Sequence, residues 1–345
     1  MSDARVAVVG AGAWGTTIAL LVARREEVVL VTRSAEAAQR IDAARENAAR
    51  LPGVRLPRSL SLSSDPSAVA TADLVVFAAP SAHVREMAAL AGPSVMAGAD
   101  VLSLVKGLEA GSLLRMSEVI AEAAGLHVAR VAALSGPNLA PEIARGLPAS
   151  AVVAAADLGL ARRVAARVGT RRFRLYMNAD IVGVELAGAF KNVIAIAAGA
   201  AEALGFGDNG KAALITRGLA ELIRLGVAAG ADPLTFAGLA GVGDIVATCS
   251  SPLSRNHRLG QDLARGRPWS ELRDELSGVA EGAHTVDAAI ALGGRLGVEL
   301  PIAREVHAAL FEGKSVERCL VTLLSREPRE ELREEPREEL RPVTS

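Results

Sequence analysis

Gly10-Ala11-Gly12-Ala13-Trp14-Gly15 follows directly on the apolar run Arg5-Val6-Ala7-Val8-Val9 and opens a helix-like stretch. No other feature limits the fold as strongly. In a strand–GxGxxG–helix unit the first glycine makes the tight turn and the second lets the backbone approach a pyrophosphate. The third allows close helix–strand packing, and the helix N-terminus adds partial positive charge. The glycines alone say little; a strand before them and a helix after them are the context a dinucleotide loop requires. The alternation continues beyond the loop. Apolar runs at 5–9, 28–31, 73–78, 100–105, 129–134 and 149–155 are interleaved with helix-like stretches at 14–24, 35–49, 82–90, 112–124 and 158–168. Such alternation reads as βαβ units building a parallel sheet. The runs are continuously Val, Ala and Leu without period-2 alternation, which predicts strands buried on both faces.

After Met177 the pattern changes. Residues 180–204 read as one long helix, apolar almost all round, and 211–229 as a second helix opened by the turn Asp208-Asn209-Gly210. Shorter helical pieces, including 254–265 and 284–296, follow to about residue 325. The expected organisation is therefore a Rossmann-type parallel-sheet domain over 1–178 and a mostly helical domain over 179–325. From 326 to 345 a near-repeat of Arg, Glu and Pro has too little apolar surface to fold and reads as a disordered tail.

Charge and cysteine content narrow the function classes. Lys+Arg 38 against Asp+Glu 39 leaves a net charge of −1, which argues against bulk electrostatic binding of nucleic acid or anionic lipid. No apolar run is read as a membrane span and no signal peptide is read at the N-terminus, so a cytoplasmic protein is expected. Cys249 and Cys319 are too far apart for a CxxC motif, and the five histidines show no zinc-ligand spacing, so no metal is expected.

The end of the second strand selects the dinucleotide. An NAD site usually places Asp or Glu there for the ribose 2′-OH, but this chain offers Thr32-Arg33-Ser34, and Arg33 suits a 2′-phosphate. NADPH is thus favoured over NADH. Other strand ends lead to Ala79-Pro80-Ser81, Lys106-Gly107 and Ser135-Gly136-Pro137-Asn138, all in the crevice where open α/β sheets bind ligands. Only four of the basic residues are lysine (Lys106, Lys191, Lys211 and Lys314), and arginine cannot serve where a proton must be released. Lys314 reads as an exposed surface group. Lys191 and Asn192 interrupt an otherwise apolar helix, and a buried ammonium needs a partner, for which Asp244 in Gly241-Val242-Gly243-Asp244 is the candidate. Ser254-Arg255-Asn256 at a helix start would suit a phosphate.

These segments resemble the bacterial NAD(P)-dependent glycerol-3-phosphate dehydrogenase family. The resemblance rests on the Gly10 loop with Trp14-Gly15-Thr16, Val105-Lys106-Gly107-Leu108-Glu109, Ser135-Gly136-Pro137-Asn138, Glu185-Leu186-Ala187-Gly188 through Lys191-Asn192-Val193, and Leu214-Ile215-Thr216-Arg217-Gly218-Leu219. Gly241 to Asp244 with Thr248-Cys249, Ser254-Arg255-Asn256 and Val279-Ala280-Glu281-Gly282 complete it, in the family's order, to about residue 325. The resemblance implies reversible reduction of dihydroxyacetone phosphate to sn-glycerol 3-phosphate with NADP(H) or NAD(H), supplying glycerol phosphate for phospholipid synthesis. It makes Lys191 the proton donor and acceptor, with Lys106, Asp244 and Asn192 assisting. Lys106, Gly136, Asn138, Lys191, Asp244, Ser254, Arg255 and Asn256 would line the substrate site. Gly10, Gly12, Ala13, Trp14, Gly15, Arg33, Lys106, Ala140, Arg255, Val279 and Glu281 would contact the cofactor. The chain departs from the family at Asn138 and Ala13, where Ser or Thr is common, and near Pro141, where a basic residue is common. The partners expected are a phosphorylated small molecule, with a homodimer as one option. Two other readings fit parts of the pattern: a ketopantoate- or hydroxyacid-type reductase, which gives Arg255 and Asn256 no phosphate, and a non-catalytic NADP(H) sensor.

Overall fold

The computed structural model describes residues 5–275 and 281–327. Eight strands form one sheet: β1 (Val6–Val9), β2 (Val28–Val31), β3 (Leu60–Ser63), β4 (Leu74–Phe77), β5 (Asp100–Ser103), β6 (Val131–Ser135), β7 (Ala149–Ala154) and β8 (Phe173–Asn178), in the order β3-β2-β1-β4-β5-β6-β7-β8. The helices between them are α1 (Ala13–Val22), α2 (Ala35–Ala44), α3 (Val84–Ala91), α4 (Met116–Ala124), α5 (Ala140–Ala144) and α6 (Leu158–Val168). The central strands are buried on both faces. Val6 and Val8 of β1 join a core with Ile18 and Leu21 of α1, while Ala7 and Val9 join one with Ala88 of α3 and Ile120 of α4.

The sheet is parallel from β3 to β6, but β7 runs antiparallel to β6, with Ala133 opposite Ala154, and β8 follows β7. The all-parallel expectation is thus corrected for its last two strands. Only the five-residue α5 lies between β6 and β7. That is too short a helix to return the chain along the sheet, so β7 starts beside the end of β6.

The second half is helical: α7 (Ile181–Ala203), α8 (Gly207–Ala228), α9 (Pro233–Phe236), α10 (Asp244–Ser250), α11 (Arg255–Ala264), α12 (Trp269–Glu275), α13 (Glu281–Leu296), α14 (Pro301–Phe311) and α15 (Val316–Leu324). The helix α7 is its axis, buried from Gly183 to Ala201. Backbone contact with α11 is possible because both helices offer glycine. A Cβ at Gly199 would lie 2.0 Å from the His257 carbonyl oxygen, and one at Gly260 would lie 1.9 Å from that of Ile196. By length and composition, Ile181–Ala203 and the stretch Pro233–Ser250 could cross a membrane, which amends the expectation of no such run; α7, however, is enclosed by protein. The helix α8 begins at Gly207, four residues before the expected start, because Gly205 and Gly207 take positive φ and make the turn themselves. Asp208-Asn209-Gly210 is its first turn. Most of the charged tail from 326, like Val279, lies outside the described residues.

Candidate active site

The glycine loop has the shape its sequence implies. Gly10, at φ 116°, abuts the Ala78–Ala79 peptide, where a Cβ would come within 2.8 Å, and a Cβ at Gly15 would strike the Gly10 carbonyl oxygen at 2.0 Å. At Gly12 a Cβ would meet nothing within 4 Å, so open space lies above the N-terminus of α1. That terminus has no side-chain cap and no acid in its first turn. Its free N–H groups and open approach fit an anionic pyrophosphate. Ala13 lies in this turn. The ring of Trp14 instead packs edge-on against Phe173, with centroids 5.9 Å apart, which leaves only its backbone toward the loop. Ala140 is buried beside α1, its carbonyl accepting from Thr17 Oγ1 at 3.3 Å. Arg33 is exposed after β2, and Ser34 caps α2.

Beyond the strand ends lies a cluster of three charges, buried Lys191 and Asp244 with part-buried Lys106. Lys191 on α7 donates from Nζ to Asp244 Oδ1 at 2.8 Å and to Thr248 Oγ1 at 2.6 Å. Lys106, just past β5, donates to the other oxygen, Asp244 Oδ2, at 2.5 Å and to the Gly136 carbonyl at 3.1 Å. One carboxylate thus bridges two ammonium groups that come from different halves of the chain. Gly188 permits this approach: a Cβ there would lie 2.6 Å from Ser135 Oγ and 3.5 Å from Lys106 Cγ. Asp244 follows a π-helical turn, Leu239–Gly243, a feature frequent at functional sites.

Burial works on each charge differently. It raises the Asp244 carboxyl, but Lys106 and Lys191 outweigh it and hold the group below the ordinary carboxylate value. Burial pushes the Lys106 ammonium down, with Asp244 pulling it up and Lys191 adding to the depression. Half-buried Glu281, at the start of α13, is raised by burial, while Arg255, Lys106 and Lys191 pull it the other way. Two lysines and Arg255 against Asp244 and Glu281 leave the group one positive charge in excess, which suits an anionic ligand.

The remaining expected residues divide into engaged and free groups. Ser254 caps α11, accepting from the His257 N–H at 3.2 Å. Asn256 donates to Asn192 Oδ1 at 2.9 Å and accepts from the Gly282 N–H at 3.1 Å, tying α11, α7 and α13 together. Arg255 is exposed in the first turn of α11. Asn192 Nδ2, both amide atoms of Asn138 and Ser135 Oγ are buried with no protein partner. Sequence reasoning missed Thr248 as a lysine partner, although its i+4 spacing from Asp244 puts both on one helix face. It also missed the buried contact of Glu185 with Arg115 at 2.7 Å. Lys314, read as a surface group, is part-exposed and pairs there with Glu305 at 2.6 Å. Among the described residues no group of three or more His, Cys, Asp or Glu is placed to hold a metal.

A glycine-loop sheet joined to a helical half that lays a buried lysine across the strand ends defines a two-lobed protein of the dinucleotide-fold class. Within that class the chain belongs to the NAD-dependent glycerol-3-phosphate dehydrogenase family, whose N-terminal model matches residues 5–161 and whose C-terminal model matches residues 180–321. It is 46% identical to the glycerol-3-phosphate dehydrogenase (NAD(P)+) of Prosthecochloris aestuarii, covering 95% of this chain and 99% of that one. With the Parafrankia sp. enzyme of the same name it shares 49% identity over 95% and 99% of the two chains. The crystal structure of glycerol-3-phosphate dehydrogenase from Coxiella burnetii superposes with a TM-score of 0.88 at 34% identity, over 94% of this chain and 99% of that one.

Proposed function

We propose that this chain interconverts dihydroxyacetone phosphate and sn-glycerol 3-phosphate with NADP(H) or NAD(H), supplying glycerol phosphate for phospholipid synthesis in the cytoplasm. The observation that carries the reading is Asp244 holding Lys106 and Lys191 on its two oxygens at the end of the sheet. The nicotinamide cofactor, when bound, supplies or accepts the hydride. The Gly10, Gly12 and Gly15 loop and the first turn of α1 at Ala13 and Trp14 would hold its pyrophosphate, Arg33 would reach the adenosine end, and Ala140, Arg255 and Glu281 would border the rest.

The protein's own groups do the remaining work. As negative charge develops on the ketone oxygen, Lys191 donates its proton there, and in the reverse direction it takes the proton back. Asp244 fixes the ammonium, and Lys106 stabilises charge on the same oxygen, an electrostatic effect strengthened by the dry surroundings. Asn192 Nδ2 and the Asn138 amide, buried and without protein partners, are free to hold substrate oxygens. Arg255 would take the phosphate, with Ser254 and Asn256 shaping its cradle beside Gly136. Fixing the ketone against Lys191 in this way is a proximity effect that can exceed the acid catalysis itself.

We also place the lobe boundary at 178/179, where the sheet ends at Asn178 and α7 follows at Ile181. The test of function is loss of nicotinamide absorbance with dihydroxyacetone phosphate, run beside unphosphorylated dihydroxyacetone and ketopantoate. Turnover is expected only with the phosphorylated ketone. Preference for ketopantoate, or cofactor binding without turnover, would overturn the reading.

A further inference from the structure

The Lys106 loop is held to α7 at a second point. Lys106 opens a loop that closes on itself, Glu109 N–H donating to the Leu114 carbonyl at 3.0 Å, and that ends at Arg115, the residue capping α4. Glu185, fully buried on α7, engages that end with both oxygens. Its Oε2 accepts from Arg115 Nη1 at 2.7 Å and Ser117 Oγ at 2.6 Å, and its Oε1 from the Ser117 N–H at 2.8 Å. Glu185 lies six residues before Lys191, about 9 Å along the helix axis. Gly188 sits between them, against the Lys106 stem. One rigid helix thus grips both ends of the loop, at Arg115 and Ser117 through Glu185 and at Lys106 through the Asp244 bridge.

We propose that Glu185 is a positioning residue, which through the 106–117 loop keeps the Lys106 ammonium on Asp244 and over the reacting oxygen. The proposal rests on the role given to Lys106 above. A buried carboxylate with three donors is a costly way merely to join two lobes, since well-packed apolar residues do that as well or better. What it provides is a fixed register between loop and helix. Displacement by an ångström at a group that must meet a reacting atom can cost up to about 100-fold in rate.

The test is a double-mutant cycle in the full-length protein. Glu185→Gln should lower kcat by roughly 10- to 100-fold, with the KM for NADPH little changed. Lys106→Met and Lys106→Met/Glu185→Gln should turn over at the same rate, because a lysine that is absent cannot be mispositioned. Losses that multiply, or a Glu185→Gln enzyme with wild-type kcat, would overturn the proposal. Should Glu185→Gln fail to fold, Ser117→Ala removes one donor only and should give a smaller kcat loss that likewise vanishes in the Lys106→Met background. Lys191→Met separates this from the reading beneath it. Turnover retained there would sink the site's chemistry, whereas multiplying losses in the cycle would sink only the part played by Glu185.

Discussion

Lys191 and Asp244 are 53 positions apart in the chain, yet the need of a buried ammonium for a countercharge was enough to pair them, and their separation is 2.8 Å. The sharing of that carboxylate with Lys106 was not legible, because it depends on which strand end faces which helix. Removing the ammonium should be the most damaging change: Lys191→Met should bind NADPH normally and lose roughly 10²–10⁴-fold in kcat. Ordinary turnover would remove Lys191 from the chemistry. Asp244→Asn is informative in a different way. It takes away the charge that offsets the burial of Lys106, so the ammonium form becomes harder to keep. Ketone reduction needs the protonated site, and its alkaline limb should therefore move to lower pH. A limb that stays in place, measured from kcat against pH, would show that Asp244 does not set the protonation state. At the cofactor's far end, Arg33→Asp should weaken NADPH more than NADH, and equal weakening in a binding titration would free Arg33 of any part in reading the 2′-phosphate.

Among elements, continuous apolar runs located the buried strands, but β3 and β8 went unread. Leu60-Ser61-Leu62-Ser63 and Phe173-Arg174-Leu175-Tyr176-Met177-Asn178 lie at the two sheet edges, where half the residues face solvent and the composition turns polar. Both look like loop beside the Val-rich interior strands. Helix–helix ties were similarly hidden, and one has a measurable consequence. Glu221 on α8 accepts from the Ile302 N–H at 2.8 Å, capping α14. Burial pushes its carboxyl up to about 7, against the pull of the Ile302 and Ala303 N–H groups. Between its ordinary value and about 7 the folded chain keeps a proton that the unfolded chain has lost. Stability should therefore fall as pH rises through that window and level off above it, by about 3 kcal/mol in all. Glu221→Gln keeps the acceptor without the ionisation. Denaturant melts should find it close to wild type at about pH 5 and more stable at about pH 8; an equal difference at both would contradict the assignment.

The two lobes are not independent at the scale of the whole molecule. Leu108, Val152 and Ala154 of the sheet half belong to the same buried cluster as Val184, Ala187 and Phe190 of α7, and the Glu185–Arg115 pair crosses the same boundary. A chain of this length divided into two lobes would ordinarily unfold in steps. Here, removing the helical half would strip cover from β7 and from the Lys106 loop, which couples the unfolding of the sheet half to that of the helical half. The chain's two tryptophans give each half a reporter. Trp14 packs on Phe173 in the sheet lobe, and Trp269 packs against the helical core. With Trp269→Phe and Trp14→Phe as single-tryptophan proteins, fluorescence should give coincident urea midpoints. NADPH, which the proposed function seats on the glycine loop of the sheet lobe, should raise both midpoints together, since a ligand of the folded state stabilises whatever unfolds with it. If Trp269 is lost at lower urea while Trp14 persists, or if NADPH moves only the Trp14 transition, the lobes are thermodynamically separate. The Lys106–Asp244–Lys191 bridge would then join two bodies free to part, rather than sit in a preformed site.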